Sequence, residues 1–103
     1  MKNFSISIVL YKNPQSDIKA CLESISSSDV NYLYVIDNSP TNCLSLECEG
    51  YENLKYIHNP SNPGYGAGHN IALREAISNL CEFHFIINAD VMFDGAIIKK
   101  MIS

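Results

Sequence analysis

Short apolar runs divide the chain, and polar, turn-rich segments close each of them. Ser5–Tyr11 holds the β-branched residues Ile6, Ile8 and Val9 and reads as a strand. Asn13-Pro14 stops it and opens a helix, with Asn13 as cap and Pro14 in the first turn. Ile18, Cys21, Leu22 and Ile25 then recur at the i, i+3, i+4, i+7 spacing of one helix face, up to the Ser26-Ser27-Ser28 tract. Tyr32–Ile36 is a continuous apolar run, as expected of a parallel strand covered on both faces, and Asp37-Asn38-Ser39-Pro40 ends it in a turn. Leu54–Ile57 gives a third strand, while Thr41–Glu52, with Leu44 and Leu46 among polar residues, suits a short helix or a loop. A turn-rich connection, His58–Gly68, leads into a helix beginning near Gly66 to Gly68. Its apolar positions are Ile71, Leu73, Ala76, Ile77 and Leu80. Phe83–Ile87 is a fourth strand ending in Asn88-Ala89-Asp90, and Asp94 caps a last helix carrying Ile97, Ile98, Met101 and Ile102.

This alternation predicts an α/β domain with a Rossmann-like, mostly parallel sheet of about four strands and flanking helices. With 103 residues and no repeat or low-complexity linker, residues 1–103 form a single domain. In that architecture ligands bind outside the carboxyl ends of the strands, where loops and helix N-termini meet. Tyr11–Asn13, Asp37–Ser39 and Asn88–Asp90 occupy those ends, and the glycine-rich connection after the third strand falls on the same edge.

Composition narrows the classes. A hydrophobic share of 47% excludes a disordered chain, and a formal charge of -4 without a basic block argues against a surface that holds nucleic acid phosphates. A polyanionic ligand would need local help from backbone amides or a metal. No run approaches the roughly 20 apolar residues that span a bilayer, and Asn3, Ser5 and Ser7 interrupt the N-terminal stretch, unlike a secretory signal. A cytoplasmic location is the expectation. Cys21, Cys43, Cys48 and Cys81 lack zinc-finger spacing; Cys21 and Cys81 suit small buried hydrophobes, and Cys43 and Cys48 read as reduced thiols.

Three groups of residues could carry chemistry. Asp37 and Asp90 each end a strand on the same edge, where a carboxylate can accept hydrogen bonds from a nucleoside, bind a hard divalent cation, or simply form a turn. In Asn88-Ala89-Asp90 the carboxylate of Asp90 is the metal candidate, and Asn88 can offer its carbonyl oxygen or bond a ribose. Asn59–Asn70 carries Gly64, Gly66 and Gly68 just before a helix, which permits close backbone approach and exposes amides to an anion. It fails as a dinucleotide fingerprint, since the third glycine of that pattern falls at His69. His84, between Phe83 and Phe85, reads as structural, and His69, beside Asn70, as a solvated or helix-capping residue, with contact to a phosphate as the alternative.

Taken in order, Ile6 to Lys12, Cys21 to Ile25, Val35 to Ser39, Asn59 to Asn70 and Ile86 to Val91 resemble the N-terminal, nucleotide-sugar-binding half of family 2 glycosyltransferases, especially rhamnosyltransferase-like members. The resemblance implies a truncated GT-A fold binding a nucleoside diphosphate sugar, with Mg²⁺ or Mn²⁺ at Asp90, for inverting transfer to a glycan or lipid-linked acceptor. It further implies that Leu10 and Tyr11 border the nucleoside and that Asp37, with Asn38 beside it, contacts base or ribose. The Asn62 to Asn70 segment, including Gly64, Gly66 and Asn70, would shape the donor pocket beside Asn88. Leu10 and Lys12 replace the usual Thr and Asn, and Asn88 the usual first Asp.

No residue matches the general base that the family places later in its domain, so no catalytic residue is assigned. The acceptor-binding half is expected to be absent. The alternative reading is a catalytically inactive fragment that serves as a nucleotide-binding or assembly module. A sheet cut at this point would expose an edge and apolar surface, which predicts a homo-oligomer. Enzymes of this type on lipid-linked acceptors work beside the inner face of the membrane, so peripheral association there is a further expectation.

Overall fold

The computed structural model describes residues 3–26, 28–41, 48–60 and 65–88, with the backbone alone at 65 and 66. The expected helix after Asp94, the segment around Leu44 and Leu46, and the reading of Cys43 lie outside the described residues. Along the described chain run β1 (Phe4–Leu10), α1 (Gln15–Ser26), β2 (Tyr32–Asp37), β3 (Leu54–His58), α2 (Tyr65–Ser78) and β4 (Phe83–Ile86). The strands form one sheet in the order β3-β2-β1-β4, and every pairing is parallel. The fold is thus the α/β arrangement expected of a truncated Rossmann-like GT-A domain. The chain steps outward from β1 through β2 to β3 and then crosses back to β4, so strand order reverses between β1 and β4.

Alternation along the strands divides the interior into two layers. Phe4, Ile6, Ile8 and Leu10 of β1 join Leu33 and Val35 of β2 against Ile18, Cys21, Leu22 and Ile25, the predicted face of α1. On the opposite face Val9, Tyr34 and Ile36 pack on Ala72 and Ala76 of α2. Every residue of β1 is buried, as a central parallel strand with a helix on each face requires.

The start of α1 departs from the sequence reading, whereas its end in the serine tract is as expected. Asn13 does not cap α1; its Oδ1 accepts from the Tyr11 amide at 2.8 Å, and the Pro14 carbonyl receives the first helical hydrogen bonds from Asp17 and Ile18. The serines at the far end satisfy late carbonyls: Ser24 donates to Ala20, Ser26 to Glu23 and Ser28 to Ile25.

In α2 Leu73 and Ile77 point away from the sheet, 41% and 66% exposed, and the contact is made by small residues together with half-buried Ile71. The face used is Gly68, His69, Ala72 and Ala76, which lets the helix lie close to β1. The helix stops at Ser78, and Leu80 lies beyond it at φ 58. Its amide donates to Ile77 and that of Cys81 to Ala76, the paired bonds of a Schellman ending in which glycine is the usual residue.

Two substitutions test this packing. A Cβ on Gly68 would stand 2.8 Å from Val9 Cγ2 and 3.1 Å from Cγ1, so Gly68→Ala is expected to destabilise by about 1–3 kcal/mol in urea titration, with partial rescue by Val9→Ala. Leu80→Gly should instead stabilise by about 1 kcal/mol, because it relieves the left-handed backbone of an exposed leucine.

Candidate functional site

Register brings the ends of three strands to one level: Leu10 pairs with Asp37, and Asp37 with His58. The loops leaving those ends are tied together. The Asn38 amide donates to the Leu10 carbonyl at 2.8 Å, the Asn59 amide to the Asp37 carbonyl at 2.7 Å, and the Lys12 amide to Ser39 Oγ at 2.8 Å. His58 Nε2 lies 3.0 Å from the Ser39 carbonyl, and Asn59 Nδ2 donates to Asn38 Oδ1 at 3.1 Å. The result is a rigid shelf at the carboxyl edge of β1, β2 and β3.

Asp37 is the hub of that shelf and is fully buried. Its Oδ1 accepts from the Ser39 amide at 2.9 Å and its Oδ2 from the Tyr56 hydroxyl at 2.5 Å. Asn38 and Ser39 are buried beside it. These residues form the shelf itself; the groups on its surface are Tyr11, Lys12, Asn70 and Asn88, all exposed. Lys12 has a left-handed backbone, φ 54, and its ammonium sits 5.3 Å from the centre of the Tyr11 ring, a cation–π contact.

The start of α2 closes against this edge, since the Cβ position of Gly68 lies 3.4 Å from Asn38 Nδ2 as well as against Val9. Gly66 belongs to the first turn of the helix, and Asn70 follows on an exposed position. From the other side, the Ile87 amide donates to the Ser7 carbonyl at 3.1 Å, carrying the chain past β1 to Asn88. The Asn88 carbonyl faces the Cys21 thiol of α1 at 3.9 Å. Tyr11 and Asn88 therefore flank the point where strand order reverses, the crevice in which open α/β sheets take ligands.

Of the residues singled out from the sequence, Leu10, Tyr11, Asp37, Asn38, Gly66, Asn70 and Asn88 come to this edge, while Gly64 and Asp90 lie outside the described residues. Among the described residues no group of three or more His, Cys, Asp or Glu could hold a metal ion. Asp37 has both oxygens engaged within the protein.

Sequence patterns missed several participants. Tyr56 and His58 enter only because β3 lines up beside β2, which no local signal announces. His69 is buried, not solvated, and its Nδ1 lies 2.5 Å from Ser7 Oγ. His84 is structural as expected and bonds two serines, Ser5 Oγ at 2.6 Å through Nδ1 and Ser7 Oγ at 3.0 Å through Nε2. Two serines at alternate positions in an apolar strand were the available signal.

The Glycosyl transferase family 2 description matches residues 5–103 of this chain. The chain is also 30% identical over 102 residues to the low-salt glycan biosynthesis hexosyltransferase Agl10 of Haloferax volcanii. That match covers 98% of this chain and 32% of the relative, so the chain spans about a third of the relative's length.

Removing the hub should loosen the shelf. Asp37→Ala leaves the Tyr56 hydroxyl and the Ser39 amide without their acceptor and is expected to cost about 1–3 kcal/mol, read as a lower urea midpoint with unchanged slope. Tyr56→Phe in the Asp37→Ala background should add little, because the two act through one bond.

Proposed function

Because the chain belongs to glycosyl transferase family 2, we propose that the carboxyl edge of its sheet receives a nucleoside diphosphate sugar. In the whole protein the sugar passes, with inversion, to a saccharide or lipid-linked acceptor. The observation that carries this reading is convergence: Leu10 to Lys12, Asp37 to Ser39, Gly66 to Asn70 and Asn88, apart in sequence, meet at the reversal of strand order. Convergence of that kind is what a nucleotide crevice needs.

In this proposal Tyr11 and Lys12 border the nucleoside and diphosphate, with the Lys12 ammonium supplying positive charge in a chain whose net charge is -4. Asn70 and Asn88 offer exposed amides to hydroxyl groups. Asp37 and Asn38 shape the floor from below, and Gly64 and Gly66 admit close backbone approach. Transfer is one displacement: the acceptor oxygen bonds to the anomeric carbon as the bond to the diphosphate breaks, and the acceptor proton goes to a carboxylate base. No described residue is assigned that base. Mg²⁺ or Mn²⁺ at Asp90 is part of the proposal, and such an ion would offset diphosphate charge.

Two further points of partnership and place belong to the proposal. The exposed residues Leu73, Ile77 and Leu80, with Phe83 and Ile86 of edge strand β4, support self-association into a homo-oligomer, which sedimentation at micromolar concentration would reveal and a strict monomer would reject. Among the described residues no helix is long and apolar enough to cross a membrane. A cytoplasmic site of action beside the inner membrane face is a separate part of the proposal.

Calorimetric titration of UDP, GDP and dTDP, with and without Mn²⁺, tests the central claim. One nucleotide should bind saturably and more tightly with metal, Asp90→Ala should lose the metal effect, and Lys12→Ala should weaken binding about tenfold or more. Absence of saturable binding by every nucleotide would overturn it.

A further inference from the structure

Below α2, polar side chains from three elements make one continuous line within an apolar layer: Ser5, His84, Ser7 and His69, joined in that order. Both serines are fully buried and His69 is 4% exposed. Register sets Tyr32, Ser5 and His84 in one row across β2, β1 and β4, and Tyr34, Ser7 and Ile86 in the next.

Hydrogen counting constrains this line. A neutral imidazole has one donor and one acceptor, and a hydroxyl has one donor with spare lone pairs. Every bond can therefore be made with all hydrogens pointing from Ser5 toward His69, or all in the reverse direction. One extra proton is tolerated. If His84 is charged it donates to both serines while Ser7 donates to His69; if His69 is charged it donates to Ser7, which donates to His84. A second proton is not tolerated, because both rings then donate to Ser7 and its own hydrogen has no acceptor in the line.

We propose that His69 and His84 are positioning residues for the candidate nucleotide site, holding the start of α2 and the strand β4 on β1 through Ser7 only while at least one of the two rings is neutral. The assignment rests on the nucleotide-binding reading of that edge. His69 follows Gly68, which packs on Val9 and Asn38, and β4 leads to Asn88, so the line fixes the spacing between two walls of the crevice. Burial lowers the proton affinity of both rings, and His84 lowers that of His69 further. The groups that face them are Ser5 and Ser7 from β1 and the phenols Tyr32 and Tyr34 from β2, the latter pushed to higher pKa by burial. On α2 the nearest acid, Glu75, is paired with Lys55 of β3 at 2.9 Å, and Cys81 lies with Tyr34 and Ala76.

The sign follows. An undocked arrangement returns the rings toward an ordinary histidine pKa near 6.5 and takes up protons first, so acidification favours undocking. The test uses the uniformly ¹⁵N-labelled chain, following both imidazoles and the amides of Gly68, Asn70 and Asn88 from about pH 7.5 to about pH 5, with nucleotide titrations at both ends. Expected are amide shifts that track ring protonation, and affinity lower by about tenfold at the acid end. Ser7→Ala should uncouple the two rings, and His69→Asn, which keeps a non-titrating polar group in reach of Ser7, should flatten the pH profile. Rings that titrate independently while those amides and the affinity stay unmoved would overturn the proposal. If no nucleotide binds at either pH, the functional reading falls, and the amide titration alone decides whether the line positions the two walls.

Discussion

The burial of β1 on both faces is the constraint from which the rest follows. A strand with water on neither side must satisfy every backbone group through its neighbours, and β1 does so by pairing parallel with β2 and β4. Parallel pairing demands long crossovers, which supply α1 and α2, and it sends all strands to end on the same edge. The shelf of loops there exists because the strands beneath it are in register. The polar side chain of Asp37 can be buried only because that register delivers Tyr56 and the Ser39 amide to its two oxygens.

The same strand carries an unusual mixture on its α2 face. Ser5 and Ser7 occupy positions where Val9 continues as an apolar contact, and they are matched by histidines from α2 and β4 instead of by hydrocarbon. A buried polar group is tolerable when each of its hydrogens has somewhere to go. Here the partners come from elements far apart in the chain, so the polar line specifies where α2 and β4 sit, whereas apolar contact alone would leave sliding room.

Local pattern was enough for the strands, for α1 and for the parallel architecture, since Ile6, Ile8 and Val35 declare buried strands and Ile18 to Ile25 one helix face. It was half right in α2, where hydrophobicity marked Ile71 and Ala76, which pack on the sheet, but also Leu73, Ile77 and Leu80, which are exposed, while Gly68 and Ala72 make close contact unmarked. Side-chain size, not apolarity, decides which face can approach a sheet closely, and periodicity is blind to size. The edge cluster was legible as a set of strand ends, yet the engagement of Asp37 by Tyr56 was not, because it depends on which strand becomes β2's outer neighbour. Asn13 shows a smaller version of the same limit: its sequence position suits a helix cap, but its side chain accepts from the Tyr11 amide instead.

Strand order has a consequence in time. Among the described strands β1 is made before the others, but its second edge is filled by β4, and the Ser5–His84 contact spans 79 residues of sequence. Closing so long a loop costs entropy before any contact repays it, and contacts of high separation form late. On an emerging chain the α1 face of the sheet can assemble as soon as β2 is made, while the edge of β1 beside the reversal waits for β3, α2 and β4. Among the described elements the crevice is therefore the last part to form, and during that interval β1 presents an unpaired apolar edge to whatever else is nearby.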